Sequence, residues 1–270
     1  MAQAEKLVNK VKRLLRRLKL PRQLHHYGPK IYTLWQHLLA LVVRAVLGLS
    51  YRRTCRILAD LGIQAPNYSA LAKMAKRMPS VLWQRALAAT CSPCVRVAAL
   101  DGTFFERTNP SYHYLRRIDH KGPGGIPVKA SVLVDTRTKK VLAARIRVLP
   151  AHDVRDVTSV LKHCTPRILV ADKGYDSEAV REHRFERGIT SMIPVKCNTK
   201  SGFYRRKQHK KLRLRTYNRR QIVESVFSRI KRLFGSTVRC RRVRTIRAEL
   251  FARFIANNLT VLFNRLFQQS

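Results

Sequence analysis

Carboxylates are scarce in this sequence, and where they fall is informative. Fifteen Asp and Glu stand against 56 Lys and Arg. Asp101 and Asp172 each follow directly on a short apolar run, residues 95–100 and 168–171, and Glu224 and Glu249 are the only acids after residue 187. In an open α/β sheet, strand ends are where ligand sites collect. A carboxylate there needs a cationic partner, because burying a lone charge is costly. Either aspartate alone is explained equally well by a turn cap or by an ion pair with one of the many arginines. Tyr217, Arg220, Glu224 and Lys231 follow at steps of three, four and seven residues. At 3.6 residues per turn these steps keep all four side chains on one helix face. Ile222, Val226, Ile230 and Leu233 form a separate apolar stripe for packing. A solvated Arg–Glu pair at i,i+4 accounts for the charges on that face, but not for the near absence of other acids around Glu224.

The elements that must hold these residues are legible from periodicity. Apolar residues from Ile31 to Leu49 recur at steps of three and four, which predicts a helix. Ser50 is a cap for a second helix ending at Gly62, and Ser69 caps a third that carries Lys73, Lys76 and Arg77. The last two fit a helix-turn-helix DNA reader or, as plainly, a helical subdomain with a basic face. After Pro93 the pattern changes to strands at 95–100, 112–118, 128–134, 141–148, 168–171 and 190–195. Helices are expected at 153–163, 177–187, 218–234 and 245–267. Residues 196–215, dense in Lys and Arg, read as a mobile basic loop. Together these describe an α/β domain at 93–270 with a mixed five-stranded sheet flanked by helices, behind an all-helical region at 1–92.

Charge selects the partner. A net charge of +41 repels itself unless a polyanion neutralises it, and nucleic acid is the usual one. The basic residues run along the whole chain rather than in one juxtamembrane cluster, and the longest apolar run, 38–49, is broken by Arg44, so a membrane is not expected. No secretory signal is visible at the start, and the six cysteines are expected to be reduced thiols in an intracellular protein. Cys91 and Cys94 form half of a zinc-site spacing, with no second half to complete it.

Three segments carry a resemblance. Asp101-Gly102-Thr103, Ala171-Asp172-Lys173-Gly174-Tyr175-Asp176-Ser177, and the Tyr217, Arg220, Glu224, Lys231 helix resemble the D, D and Y-R-E-K signatures of insertion-sequence DDE transposases. His152-Asp153 resembles a recurrent His-Asp of the same group. The first motif is weakly specific; the other two are strongly so. The likeness covers roughly residues 95–265, and the short stretch between Asp172 and Glu224 leaves no room for a large insertion. It implies an RNase H-like fold in which Asp101, Asp172 and Glu224 bind two Mg²⁺ or Mn²⁺ ions. It also implies that element ends are cleaved and their 3′-hydroxyls joined to target DNA, that Tyr217, Arg220 and Lys231 contact DNA, and that a homodimer forms when two ends are paired. A cytoplasmic, nucleoid-associated protein of a prokaryote would follow. Asp176 is expected to cap the next helix, and Glu178 and Glu182 to lie on its surface. Glu106 and Asp119 are open between second-rank acids and solvated turns. The rival readings are a nuclease or resolvase on the same fold, and a basic nucleic-acid-binding protein without catalysis.

Overall fold

The computed structural model describes residues 21–24, 31–107, 127–148, 151–196 and 201–267. Its N-terminal part is built from α1 (Leu34–Leu47), α2 (Tyr51–Asp60), α3 (Tyr68–Arg77) and α4 (Ser80–Ala89). The backbone N–H of Thr33 donates to Gln36 Oε1 at 2.8 Å and starts α1, and Gly48, at φ +62°, ends it with a left-handed cap. Ser50 Oγ accepts from the Arg53 N–H at 3.3 Å, as its sequence position predicts. The third helix is capped two residues before the expected Ser69. Asn67 Oδ1 accepts from the Ala70 N–H at 2.8 Å, and Asn caps as well as Ser does. Residues 61–67 join α2 to α3, a longer link than the three- or four-residue turn of a helix-turn-helix. Lys73, Lys76 and Arg77 are exposed on α3.

The sheet contains β1 (Val97–Arg107), β2 (Val128–Asp135), β3 (Val141–Arg147), β4 (Ile168–Ala171) and β5 (Thr190–Met192), in the order β3-β2-β1-β4-β5. The first three pair antiparallel, and β4 and β5 continue from β1 in parallel. This is the expected mixed, RNase H-like sheet. Helix α5 (Val154–Leu161) makes the crossover from β3 to β4, and α6 (Glu178–Glu186) leads from β4 to β5. After β5 come α7 (Phe203–His209), α8 (Leu214–Tyr217), α9 (Gln221–Phe234), β6 (Thr237–Val238) and α10 (Val243–Phe267). The expected strand at 112–118 lies outside the described residues. β6 pairs in parallel with the far end of β1; two residues are too few to leave a periodic signal in sequence.

Each face of the sheet has its own core. Ala99, Phe105 and Val132 point toward α9 and α10, where they meet Val226, Ile230 and Phe251. Ala98, Leu100 and Leu133 point the other way, toward Val157 and Leu161 of α5. The N-terminal helices belong to the first of these cores: Leu38 and Trp83 are in the same cluster as Val132 and Ile230. Trp83 stacks on Phe251 with ring centroids 6.4 Å apart. Among the described residues no single helix is long and apolar enough to cross a membrane.

Candidate active site

The sequence places Asp101 at the end of a strand; the structure places it inside one. β1 runs six residues further, to Arg107, because β2 stays paired with it as far as Phe105↔Val128. Apolar alternation does not reveal this, since Gly102, Thr103, Glu106 and Arg107 interrupt it. The parallel register Leu100↔Ala171 then sets Asp101 and Asp172 at one level of neighbouring strands, the second just where β4 stops. The third acid arrives from above. Val223, Val226, Phe227 and Ile230 bury one stripe of α9 against the sheet, which leaves Glu224 on the flank nearest Asp101.

Arg220 links these groups. Its Nη1 is 2.9 Å from Glu224 Oε1 and 3.6 Å from Asp101 Oδ2. Burial works against the Arg220 charge, but Glu224, Asp172, Tyr217 and Asp101 together hold its pKa above the ordinary value. Asp101 behaves oppositely. Its side chain is 22% exposed, and burial raises its pKa against the pull of the Gly102 N–H and Arg220, with Glu224 and Asp153 adding repulsion. The Gly102 N–H donates to Asp101 Oδ1 at 2.8 Å. Glu224 is 54% exposed and borders an open cavity of about 560 Å³, whose wall also includes Arg220, Ser225, Ser228 and Arg232. Such an open groove can admit an extended strand.

Among the described residues, no three His, Cys, Asp or Glu side chains already form a cage tight enough for a metal ion. The arrangement still fits hard divalent cations. Its acids are all oxygen donors, they share one end of the sheet and the overlying helix, and the charge between Asp101 and Glu224 is the guanidinium of a residue with room to turn outward. Cys91 belongs to no such site. Its thiol donates to the Val141 carbonyl at 3.1 Å, and burial pushes its pKa up to about 11.

The other two helix residues have different surroundings. Tyr217 closes α8, and a 3₁₀ turn at Asn218–Arg220 joins it to α9, so the expected single helix from 218 is in fact a 3₁₀ turn followed by α9. The Tyr217 ring packs beside Val97, Val170 and Met192 beneath the site. Lys231 Nζ sits 5.6 Å over the ring of Phe105, two turns along α9 from Glu224.

Several residues near the site were not singled out by sequence. Lys129, buried in β2, places Nζ 2.5 Å from Asp153 Oδ1 and 2.6 Å from the Ala151 carbonyl oxygen. A Cβ on Gly102 would stand 3.2 Å from Asp153 Oδ1 and 3.7 Å from the Tyr175 hydroxyl, so a side chain there would press on Asp153. Among the described residues, that buried hydroxyl has no hydrogen-bond partner, and burial beside Asp153, Asp101, Asp156 and Asp172 drives its pKa far upward. A lone lysine in an otherwise apolar strand was the one available signal.

The remaining acids of the Asp172 motif correct two expectations. Asp176 caps no helix; its buried carboxylate is 2.8 Å from Arg181 Nε and 3.1 Å from Arg205 Nε, and it accepts from the Lys196 N–H at 3.1 Å. Glu178 is not a free surface acid, since it accepts from the Tyr204 and Arg205 N–H groups at 2.7 and 3.3 Å. Together they seat α7 against α6, so most of the described part of 196–215 is helix rather than mobile loop. Scarce acids find the basic run because burial leaves them no water to pair with.

Comparison with known proteins identifies a family and a fold. Residues 92–259 match the family model described as the transposase DDE domain. A solved structure of similar fold is a piggyBac transposase synaptic complex with hairpin DNA, determined by cryo-EM. It has a TM-score of 0.51 and 11% identity over 96% of this chain and 72% of that one. At that identity the likeness speaks for the fold alone. No curated protein matches the sequence.

Proposed function

The chain belongs to the transposase DDE domain family, and from that premise we propose that it is an insertion-sequence transposase using Asp101, Asp172 and Glu224 as its catalytic acids. The family's activity is DNA strand cleavage and strand transfer with a divalent metal. The observation that carries the assignment is the shared level of Asp101 and Asp172 on paired strands, with Arg220 joining Asp101 to Glu224.

Asp101, Asp172 and Glu224 would hold two Mg²⁺ or Mn²⁺ ions, with Asp101 at the centre of the three. Such ions stabilise the attacking and leaving oxygens of an in-line displacement and supply a nucleophilic water at neutral pH. Everything else is the work of the chain. Arg220 offsets the repulsion among the acids and, from the wall of the cavity beside α9, would meet a phosphate bound there. Lys231, two turns on, meets the same backbone further along. Tyr217, its ring anchored beneath the site, offers its hydroxyl to a phosphate. The 3′-hydroxyl freed by cleavage at the element's end attacks target DNA in the same site. Joining two ends calls for at least a homodimer in the active complex, and the protein works on cytoplasmic, nucleoid DNA.

The test uses the DNA that flanks its own gene. Incubated with Mg²⁺ or Mn²⁺, the protein is expected to nick at short inverted repeats and leave 3′-hydroxyls. A pre-cleaved end should then be joined to a plasmid. Cleavage without joining would favour a nuclease of the same fold, and neither activity would overturn the assignment.

A further inference from the structure

β3 is the outer strand of the sheet, and its residues Ala144, Arg145 and Ile146 border a second cavity of about 250 Å³, away from the three acids. Ser80 at the start of α4, Ser159 and Lys162 of the α5 region, Arg145 of β3 and Arg247 of α10 line it. No carboxylate is among its lining residues. Other cations of the neighbouring elements are matched: Arg147 pairs with Asp156, Lys129 with Asp153, and Arg253 with Glu249. Among the described residues no such partner pairs with Arg145, Lys162 or Arg247. The Nε of Arg145 is shielded from solvent without a hydrogen-bond acceptor. Burial lowers the pKa of Arg247, and the charges of Arg145 and Arg147 lower it further, the mark of cations gathered without an anion. Helix α4 begins here without a side-chain cap, so its first N–H groups add to the positive field.

We infer that this groove at the β3 edge is a second DNA contact, which holds a backbone phosphate of duplex outside the cleavage site through Arg145 and Arg247. The inference rests on the transposase reading for its choice of DNA. Two guanidiniums beside hydroxyls and free of acids match phosphoryl oxygens, which take paired N–H donors. Asp101 is level with Val132, and Val132 with Ala144 in the groove wall, so the groove lies two strands away from the acids, with α9 and α10 covering the sheet between them.

The experiment compares the full-length double variant Arg145→Ala/Arg247→Ala with Arg137→Ala/Arg187→Ala. The control pair removes equal charge at the β2–β3 turn and at the end of α6. Binding to one long generic duplex is measured across a salt series. Loss of one or two phosphate contacts should flatten the slope of log K against log salt by about 1 to 2 in the groove variant. The control should keep the wild-type slope. Equal slopes in wild type and groove variant, or the same change in groove and control variants, would overturn the inference. So would stabilisation of the wild type by inorganic phosphate alone with an unchanged DNA slope in the groove variant, which would mark a free-anion site. If the double variant does not fold, as judged by circular dichroism, Arg247→Gln is read in the same way. Metal-dependent nicking by the wild type is scored separately. A slope change without nicking would sink the transposase reading and leave the groove, and nicking without a slope change would do the reverse.

Discussion

At the scale of single residues, the site is a cluster of acids held together by one arginine, and each member has its own measurable consequence. Asp101 has a pKa above the ordinary carboxylate value in the folded chain. The folded state therefore binds more protons there than the unfolded state does, and stability contributed at this position falls as pH rises through and above 4. Asp101→Asn is expected to leave thermal stability at pH 7 undiminished, while strand cleavage falls on the order of 10³-fold or more. A melting curve and a nicking assay on the same sample check both, and a variant that is both unstable and active would contradict the assignment. Arg220→Gln makes the complementary case. With no guanidinium 2.9 Å from Glu224, divalent cations have no internal competitor. Mn²⁺ should bind about tenfold or more tightly, since 1.4 kcal/mol suffices for that factor, while cleavage weakens because the phosphate loses a donor. Mn²⁺ titration followed by electron paramagnetic resonance reads the first effect without DNA.

At the scale of elements, the segment after β5 is fixed by charge. α7 presents Arg206, Lys207 and Lys210 in a chain already crowded with cations, and two acids of the Asp172 motif hold it in place. Asp176 lies between Arg181 and Arg205, with its carboxylate and the Arg181 side chain fully buried. Burial by itself would raise the Asp176 pKa, but hydrogen bonds from Arg181, the Lys196 N–H and Arg205 bring it below the ordinary value. Stability from this pair is present above the usual carboxylate pKa and is lost as pH falls below about 4 toward the depressed value. Asp176→Ala leaves two cations without their acid. It should cost about 3–5 kcal/mol, read by urea denaturation at pH 7, and should blunt the loss of stability between pH 4 and 2. Since Asp176 lies four residues from Asp172, the same change is expected to slow cleavage even where the protein stays folded.

At the scale of the whole molecule, the helices before residue 92 and the sheet after it share a hydrophobic core. Leu38, Trp83, Val132, Ile230 and Phe251 form one buried cluster, and Gln84 of α4 hydrogen-bonds the β3 backbone at Leu142 O and Ala144 N. Asn258 of α10 ties Thr90 to Val141 across the same junction. A chain that starts at residue 93 would expose this surface to water, at about 25 cal/mol per Å² of apolar area. It is expected to aggregate or to lose its near-ultraviolet circular dichroism, even though it retains all three acids of the proposed site. A soluble, cooperatively folding truncation would show instead that the two parts are separate domains.

Sequence alone determined the mixed α/β class and most of its strands and helices and singled out the three acids as candidates, because those depend on local periodicity and on motifs a few residues long. Asp172 was legible from its position at the end of an apolar run, and Glu224 from its isolation among cations on an amphipathic helix. Tertiary structure decided what depends on distant segments meeting. β2 and β6 extend β1 beyond Asp101, Lys129 finds Asp153, and Arg205 crosses to Asp176. Arg220 sits among the acids because α9 lies over a parallel strand pair. None of these contacts leaves a trace at short range along the chain. They arise because burial removes water from a charge and so forces it to find whichever opposite charge the packed elements bring near.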